Sequence, residues 1–192
     1  MRDMFGPVNS LPGAVTIPRT QWDEMDRLAR SVTHGYETGG IVLGSTSAEQ
    51  FDVTVLGPPG PSATHRPAAF LRDLRTAQAL AAEAWEQDRS EWIGEWHTHP
   101  RSGLAPSPTD LATYHRHLDD PELRFERFLS VIARPTSDKL LVACWSVSPT
   151  TLIRLPVTIY DDPSARSVKR TAPSPDPDLT RATGTYPLSP HS

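Results

Sequence analysis

Two histidines spaced two residues apart, His97 and His99, are the residues of this sequence best placed to bind a metal ion. The segment that leads into them, Trp92–Thr98, is predicted to be a β-strand. Because side chains alternate between the two faces of a strand, both imidazoles are expected on one face, and Thr98 on the other. Two imidazoles on one face can share a zinc ion, although such a pair also occurs in cores and on surfaces without any ligand.

A catalytic zinc site needs a third protein ligand and an open fourth position for water. The best third ligand is Asp110, which ends the sequence SPTD that begins at Ser107. Serine followed by proline is typical of a helix N-cap and first helical position, so SPTD could also serve only as a cap. The preceding segment, residues 100–106, is rich in Gly, Pro and Ser. It can turn the chain so that Asp110 returns to the end of the strand.

Further titratable residues compete for a role beside the histidine pair. Glu95 is predicted on the same strand face as His97, and Glu37 lies far upstream in the segment YETGGIVLGS. Either carboxylate could act as a general base, and residue chemistry alone does not separate them. His115 and His117 fall on a predicted helix, where two positions are about 200° apart around the axis. We therefore expect these two to be surface histidines rather than a second metal pair.

Composition narrows the class of protein. The chain has 192 residues and a formal net charge of −4, which suits one domain and argues against a nucleic-acid partner. A single cysteine, Cys144, excludes an intramolecular disulfide and a Cys-Cys-His-His zinc site, and its apolar surroundings predict a small core residue. No apolar run approaches about 18 residues, so neither a signal peptide nor a membrane partner is expected, and the predicted location is cytoplasmic.

The elements that position these residues mix without regular alternation, which predicts an α+β fold with a mixed sheet flanked by helices. Residues 1–12 are expected to be loose, 13–160 to form the domain, and 161–192, with six prolines, to be disordered. Helices are predicted at residues 20–34, 71–88 and 107–118. Strands are predicted at residues 14–18, 39–45, 51–57, 92–98, 128–133, 140–147 and 152–160.

Four local predictions accompany this assignment. Thr20 is expected to cap the first helix, and the segment Pro58–Pro67 is expected to be a loop on composition. Leu74 and Trp85 are placed in the inner apolar stripe of the second helix. Trp92 and Trp96, by strand alternation, are expected to share the core face opposite the histidines. Each of these predictions depends on local pattern alone.

Together these residues resemble the motif of the JAMM (MPN-type, JAB-like) zinc metalloproteases. That motif is an upstream glutamate, then His-Ser/Thr-His-Pro, then Ser-x-x-Asp seven residues after the proline. This sequence has Glu37, HTHP at residues 97–100 and SPTD at residues 107–110. The segment around Glu37 is similar to the E-x-GG-x-L-x-G strand start of the family. The resemblance covers roughly residues 14–160 and implies the cytidine-deaminase-like MPN fold.

The resemblance also implies a role for each motif residue. His97, His99 and Asp110 would bind Zn²⁺, with water in the fourth position. Glu37 would be the general base that takes the proton of that water and then protonates the leaving amine. The Ser107 hydroxyl would stabilise the tetrahedral oxyanion. Glu95 then becomes a residue that orients one of the two histidines.

A class of partner follows from the same resemblance. JAMM enzymes cut isopeptide or peptide bonds after the C-terminal tail of ubiquitin or ubiquitin-like proteins. This chain is most similar to the stand-alone bacterial branch, some members of which are encoded with ubiquitin-activating-like enzymes in anti-phage operons. We expect a zinc isopeptidase that removes a ubiquitin-like or other C-terminally conjugated protein from its target. Residues 58–67 and 119–126 are candidate walls for the groove that accepts the tail.

Two alternative functions stay open at this point. One is a zinc hydrolase that releases an amino acid or a peptide from a sulfur-carrier protein. The other is a non-catalytic MPN scaffold, although scaffolds of that kind have usually lost their zinc ligands and this chain retains them.

Overall fold

The structure is a computed structural model that describes residues 13–47 and 49–162. The predicted loose N-terminal segment and almost all of the predicted disordered tail, from residue 163 on, lie outside the described residues. Within the described part of the chain, no helix has the length and apolar character needed to cross a membrane. The elements in chain order are β1 Ala14–Pro18, α1 Arg19–Ser31, β2 Gly39–Thr46, β3 Gln50–Leu56, β4 Thr64–Arg66, β5 Ala69–Leu71, α2 Leu74–Asp88, β6 Glu91–Thr98, α3 Pro108–Asp119, β7 Phe128–Pro135, β8 Leu140–Val147, β9 Leu152–Leu155 and β10 Val157–Tyr160.

Eight of these strands form one mixed sheet in the order β10-β1-β3-β2-β6-β7-β8-β9, and β4 and β5 form a separate hairpin. Strand β1 runs parallel to both of its neighbours, and β6 runs parallel to β7. The remaining pairs in the sheet are antiparallel. Helix α1 packs on one face of the sheet, and α2 and α3 pack on the other. The predicted α+β class, a mixed sheet flanked by helices, is confirmed.

The predicted last strand is in fact two strands that lie on opposite edges of the sheet. β9 pairs with β8 at one edge, and β10 pairs with β1 at the other. Pro156 separates them, and its carbonyl oxygen accepts a hydrogen bond from the Val15 amide at 2.9 Å. Proline has no N–H to continue a strand ladder, which explains the break. Because one residue bridges both edges, the sheet curves until its edges come close to each other.

Helix α1 supplies apolar residues to the main core. Met25, Leu28 and Ala29, spaced at helical intervals, are buried against the sheet. Its start differs from the prediction, because the helix begins at Arg19 directly after β1, with Pro18 in the N-cap position and no side-chain cap bond. Thr20 therefore lies inside the first turn and does not cap the helix. The helix also ends at Ser31, three residues before the predicted end.

The segment predicted as a loop at residues 58–67 contains β4, which pairs with β5 through Arg66 and Ala69 at the turn. Three-residue strands are too short for an alternating apolar pattern, so composition alone indicated a loop. Helix α2 then begins at Leu74. Asp73 caps it by accepting hydrogen bonds from the amides of Arg75 and Thr76, at 3.0 and 3.4 Å.

The buried face of α2 contains fewer of its apolar residues than predicted. Leu74 and Trp85 are 61% and 43% exposed, so neither belongs to the buried stripe. The residues that do pack on β2 are Ala77, Leu80, Ala81 and Ala84. A cluster dominated by alanine lets the helix approach the sheet closely.

A β-bulge in β6 changes which face its tryptophans occupy. Trp92 pairs with Leu43 and Gly94 pairs with Val42, so Ile93 is an extra residue on this strand. The prediction that both tryptophans lie opposite the histidines was wrong for Trp92. Trp96 packs in the α1 core as expected, whereas Trp92 contacts the residues beneath α2 and α3.

Glycine allows close approach of β6 to β7. A Cβ on Gly94 would lie 2.0 Å from the carbonyl oxygen of Leu129. We expect Gly94→Ala to lower the free energy of unfolding by about 1–3 kcal/mol, the usual cost of forcing extra atoms into a packed core. Chemical denaturation of the metal-free protein measures this. Gly103→Ala is the matched control, since a Cβ there meets no atom within 4 Å. Equal stability of the two variants would contradict the packing argument.

Candidate active site

The carboxyl end of β6 brings together two histidines, His97 in the strand and His99 directly after it. His97 and His99 are both 4% exposed. Their Nε2 atoms lie 3.0 Å apart, so the two ring nitrogens converge on one point. The structure thus confirms the expectation that alternation places both imidazoles on one face.

Asp110 completes the cluster from the first turn of α3. Its Oδ1 lies 3.5 Å from His97 Nε2, and its Oδ2 lies 3.3 Å from His99 Nε2. The same carboxylate accepts a 2.7 Å hydrogen bond from the Ser107 amide, and the Asp110 amide donates to Ser107 Oγ at 3.2 Å. This is a capping box. The predicted metal ligand Asp110 is therefore also the N3 residue of the cap predicted from SPTD, in which Ser107 is the N-cap.

The charges in the cluster stabilise one another. Burial alone would raise the pKa of Asp110, but the hydrogen bonds from His97 and His99 outweigh it and hold that pKa far below its ordinary value. Burial likewise lowers the pKa of His99, and its contacts with Asp110 and the Gly103 carbonyl reverse the effect, so that the net shift is upward. Asp110 is consequently an anion, as a metal ligand must be.

The connecting loop at residues 100–106 orients the second histidine. The carbonyl oxygen of Gly103 lies 3.0 Å from His99 Nδ1. A carbonyl can only accept, so this ring carries a proton on Nδ1, and in the neutral ring that a metal ion requires the lone pair is on Nε2. The loop is itself held by two side chains, since Arg134 donates to the Ser102 carbonyl and Trp145 to the Leu104 carbonyl.

These three residues fit a metal ion. In the described part of the chain, His97, His99 and Asp110 are the one group of three or more potential ligands whose donor atoms lie within 4.8 Å of one another. Two imidazole nitrogens and one carboxylate oxygen form a typical ligand set of catalytic zinc sites. The buried position and the anchored outer nitrogen of His99 meet the further requirement that ligands be oriented before the metal binds.

Glu37, two residues before β2 begins, lines the same cleft. Its amide donates to the Arg66 carbonyl at 2.8 Å, and its own carbonyl lies 2.9 Å from His65 Nδ1. Burial raises the pKa of the Glu37 carboxyl above its ordinary value, and attraction to His97 and His99 offsets only part of that increase. A carboxylate in such a place binds a proton more readily than an exposed one.

Glu95, the other candidate base, lies on the side of the His97 ring that faces away from Asp110. Its Oε2 accepts a 3.0 Å hydrogen bond from Arg72 Nη1, and its Oε1 is 3.9 Å from His97 Nδ1. Because that nitrogen is on the far side of the ring from Asp110, Glu95 contacts the ligand and not the place where the donor atoms converge.

The prediction for the second histidine pair was wrong for His117. Its ring packs against Trp92 and Phe128, with centroid distances of 5.2 and 5.5 Å. Burial lowers its pKa, and its Nε2 is buried without a hydrogen-bond partner among the described residues. The bulge in β6 explains the difference, because it turns Trp92 toward this helix. His115 is only partly exposed, and neither histidine belongs to the metal cluster.

The environment of Cys144 agrees with a core role. The side chain is fully buried in strand β8, and burial raises the pKa of its thiol to about 12. The thiolate is the reactive form of cysteine, so this residue does not act as a nucleophile.

The cluster opens into a cleft of about 700 Å³. One wall is residues 68–72 with Leu74, and the other is α3, including Thr109, Thr113 and Arg116. The walls predicted from sequence are not found there among the described residues. Residues 122–126 border a separate cavity of about 640 Å³ beside Trp85, and residues 58–67 touch the site only through β4.

Comparison with known proteins agrees with the geometry. No curated protein matches the chain. The solution structure of protein DSY2949 from Desulfitobacterium hafniense is similar to it with a TM-score of 0.59 and 19% identity, over 77% of this chain and 94% of that one. This likeness shows a shared fold.

The family comparison is more specific. Residues 20–148 match the family described as prokaryotic homologs of the JAB domain. That range includes every residue of the motif, and the resemblance to the JAMM/MPN type is thereby confirmed. The chain belongs to the prokaryotic homologs of the JAB domain.

Proposed function

We propose that this protein is a zinc-dependent isopeptidase that removes a ubiquitin-like or other C-terminally conjugated protein from its target. The observation that carries the proposal is one shared cleft. A partly buried carboxylate with a raised pKa, Glu37, lines it together with the metal-ligand cluster and the Ser107 hydroxyl. These are the groups that hydrolysis of an amide bond by an activated water requires.

The metal ligands are His97, His99 and Asp110. Bound Zn²⁺ supplies a Lewis acid that lowers the pKa of a coordinated water from 15.7 to around 7. The three side chains would hold the ion in the cleft, and a site with three protein ligands would retain one position for water.

Glu37 is the general base. Its carboxylate accepts a proton from the attacking water and then donates it to the leaving amine. Its raised pKa favours this exchange, since a carboxylate with an ordinary pKa is a weaker base. Hydrogen bonds with Arg66 and His65 fix the amide and the carbonyl of Glu37, which restricts the positions that its carboxylate can adopt.

Ser107 stabilises the oxyanion. Its Oγ accepts the Asp110 amide through a lone pair, so its O–H proton is available to donate elsewhere. The side chain lines the cleft beside the ligands. A donor aimed at the carbonyl oxygen under attack acts most strongly where charge develops in the transition state.

The wall of the cleft that contains β5 supports the proposed substrate class. The Arg66 carbonyl of β4 accepts a hydrogen bond from the Glu37 amide. In the described chain, β5 pairs with no strand except β4. Leu71 and Leu74, 67% and 61% exposed, present apolar side chains there. An extended, flexible tail can add to such an edge as a further strand. This supports a protein C-terminus as the acyl side of the bond. We propose that ubiquitin-activating-like enzymes make that bond.

The metal assignment makes a first prediction. His97→Ala removes a ligand and should abolish zinc binding, because two remaining ligands do not make a stable site. His115→Ala should retain one zinc per chain, since this histidine lies outside the cluster. Elemental analysis of the purified variants measures both. Equal zinc content in the two variants would rule out the assignment.

The base assignment makes a second prediction. Glu37→Gln keeps the shape of the side chain and should retain zinc, while cleavage of an isopeptide conjugate slows by about 10²–10⁴-fold. Glu49→Gln, a change at an exposed carboxylate, is the matched control and should cleave normally. Normal cleavage by Glu37→Gln would show that Glu37 is not the general base.

The reaction makes a third prediction. A chelator should stop cleavage of a conjugate between a ubiquitin-like C-terminus and a lysine amine, whereas thiol reagents should not, because Cys144 is buried. Incubation with such a conjugate and with a small acyl-amino acid separates the substrate classes. Cleavage of the small compound alone would favour the hydrolase that serves a sulfur carrier. Cleavage of neither by the zinc-loaded protein would favour a scaffold.

A further inference from the structure

We propose that Arg72 and Glu95 are positioning residues for the metal ligand His97, and that their charge pair tunes how tightly the site binds zinc. The inference rests on the proposed zinc site and extends it to two residues outside the motif. We call these two residues the support pair.

Glu95 lies on the side of the His97 ring that faces away from the other ligands. His97 Nε2 faces His99 and Asp110, while Nδ1 lies 3.9 Å from Glu95 Oε1. This distance is too long for a hydrogen bond, so the contact is electrostatic. A negative charge at this side favours the tautomer with its proton on Nδ1, which leaves the lone pair on Nε2 for a metal ion.

Arg72 holds the Glu95 carboxylate in place. The two side chains are 21% and 14% exposed, and Nη1 donates to Oε2 at 3.0 Å. The guanidinium also lies over the Trp92 ring, 5.2 Å from its centroid. An unpaired carboxylate with this little exposure would carry a large desolvation cost. With Oε2 bonded to Arg72, Oε1 is the oxygen that faces His97.

The two histidines thus have different outer partners. His99 has a neutral one, the Gly103 carbonyl at 3.0 Å. His97 has the anionic Glu95, at a longer distance. Because a charge acts over a longer range than a neutral acceptor, the Glu95 carboxylate, held in position by Arg72, should matter for His97 even without a close hydrogen bond.

Arg72 also joins a wall of the cleft to the metal ligand. It is the residue that follows β5 and precedes Asp73, the N-cap of α2. Its backbone therefore belongs to the substrate-facing wall, while its side chain reaches Glu95 on the main sheet. The position of the hairpin end and the orientation of the ligand are coupled through this one side chain.

The test measures zinc affinity directly. Metal-free wild-type protein, Glu95→Gln, Arg72→Met and the double variant compete for zinc with a chromophoric chelator, and the melting temperature of each metal-free protein is recorded. Glu91→Gln on the same strand and Arg75→Met on the adjoining helix are matched controls, since both residues are exposed. These measurements need no substrate.

We expect Glu95→Gln to bind zinc about 10–100-fold more weakly, the usual effect of losing an outer partner of a metal-bound histidine. Arg72→Met should weaken binding by less, because Glu95 remains. The double variant should bind no more weakly than Glu95→Gln, since Arg72 acts through Glu95. The two controls should match wild type.

Several results would overturn the inference. Wild-type zinc affinity in Glu95→Gln with a lowered melting temperature would show that the pair is only structural. Tighter binding by Arg72→Met would show that Arg72 acts as a cation repelling the metal. If Glu95→Gln does not fold, wild-type zinc affinity in folded Arg72→Met would equally show that the pair is only structural. Failure of wild-type protein itself to bind zinc would instead remove the proposed metal site, and the inference with it.

Discussion

The close approach of β2 to the end of β6 is the constraint on which the site depends. The Thr98 amide donates to the Thr38 carbonyl at 2.8 Å, and the Thr38 amide donates to Thr98 Oγ1 at 3.0 Å. Gly39 lies opposite His97, and a Cβ on it would be 2.1 Å from the Trp96 carbonyl oxygen. A side chain here would separate the strands. Glu37, two residues before this glycine, would then move away from the ligands, so the GG of the motif is a steric requirement of the site.

The second anchor of the site is the N-terminus of α3. A capping residue contributes roughly 1 kcal/mol to a helix, and the first turn favours an anion through the helix dipole. Ser107 is the N-cap, and Asp110 completes the capping box and supplies the anion of the first turn while it faces the two histidines. The contacts that cap the helix therefore also fix the position of one candidate metal ligand. The spacing between HTHP and SPTD follows from this geometry, because the loop must both turn the chain and present the Gly103 carbonyl to His99.

What could be predicted from the sequence is what depends on local geometry. Strand alternation correctly paired His97 with His99, and the serine–proline signal located the cap that carries Asp110. Long-range pairing decided the rest. The bulge at Ile93 exists because of the register between β2 and β6, and it moved Trp92 to the other face. The split at Pro156 depends on both edges of a curved sheet, and the β4–β5 hairpin is too short to leave a periodic pattern. These causes are contacts between residues that are far apart in the sequence, so no short segment of the sequence reveals them.

The residues proposed to carry out the reaction and those proposed to bind the substrate lie on different parts of the fold. The ligands and the proposed base are placed by the main sheet and by α3, which share the buried cores. The wall proposed to accept the substrate belongs to the two-stranded hairpin, which contacts the proposed base Glu37 through β4 and is linked to Glu95 through Arg72. A short hairpin outside the core can vary in sequence without unfolding the sheet. Under the proposed function, a change of conjugated protein would therefore require changes in the hairpin and leave the zinc ligands untouched. The residues that must stay matched across this boundary are those at its few contacts, because they connect the variable wall to the invariant geometry of the reaction.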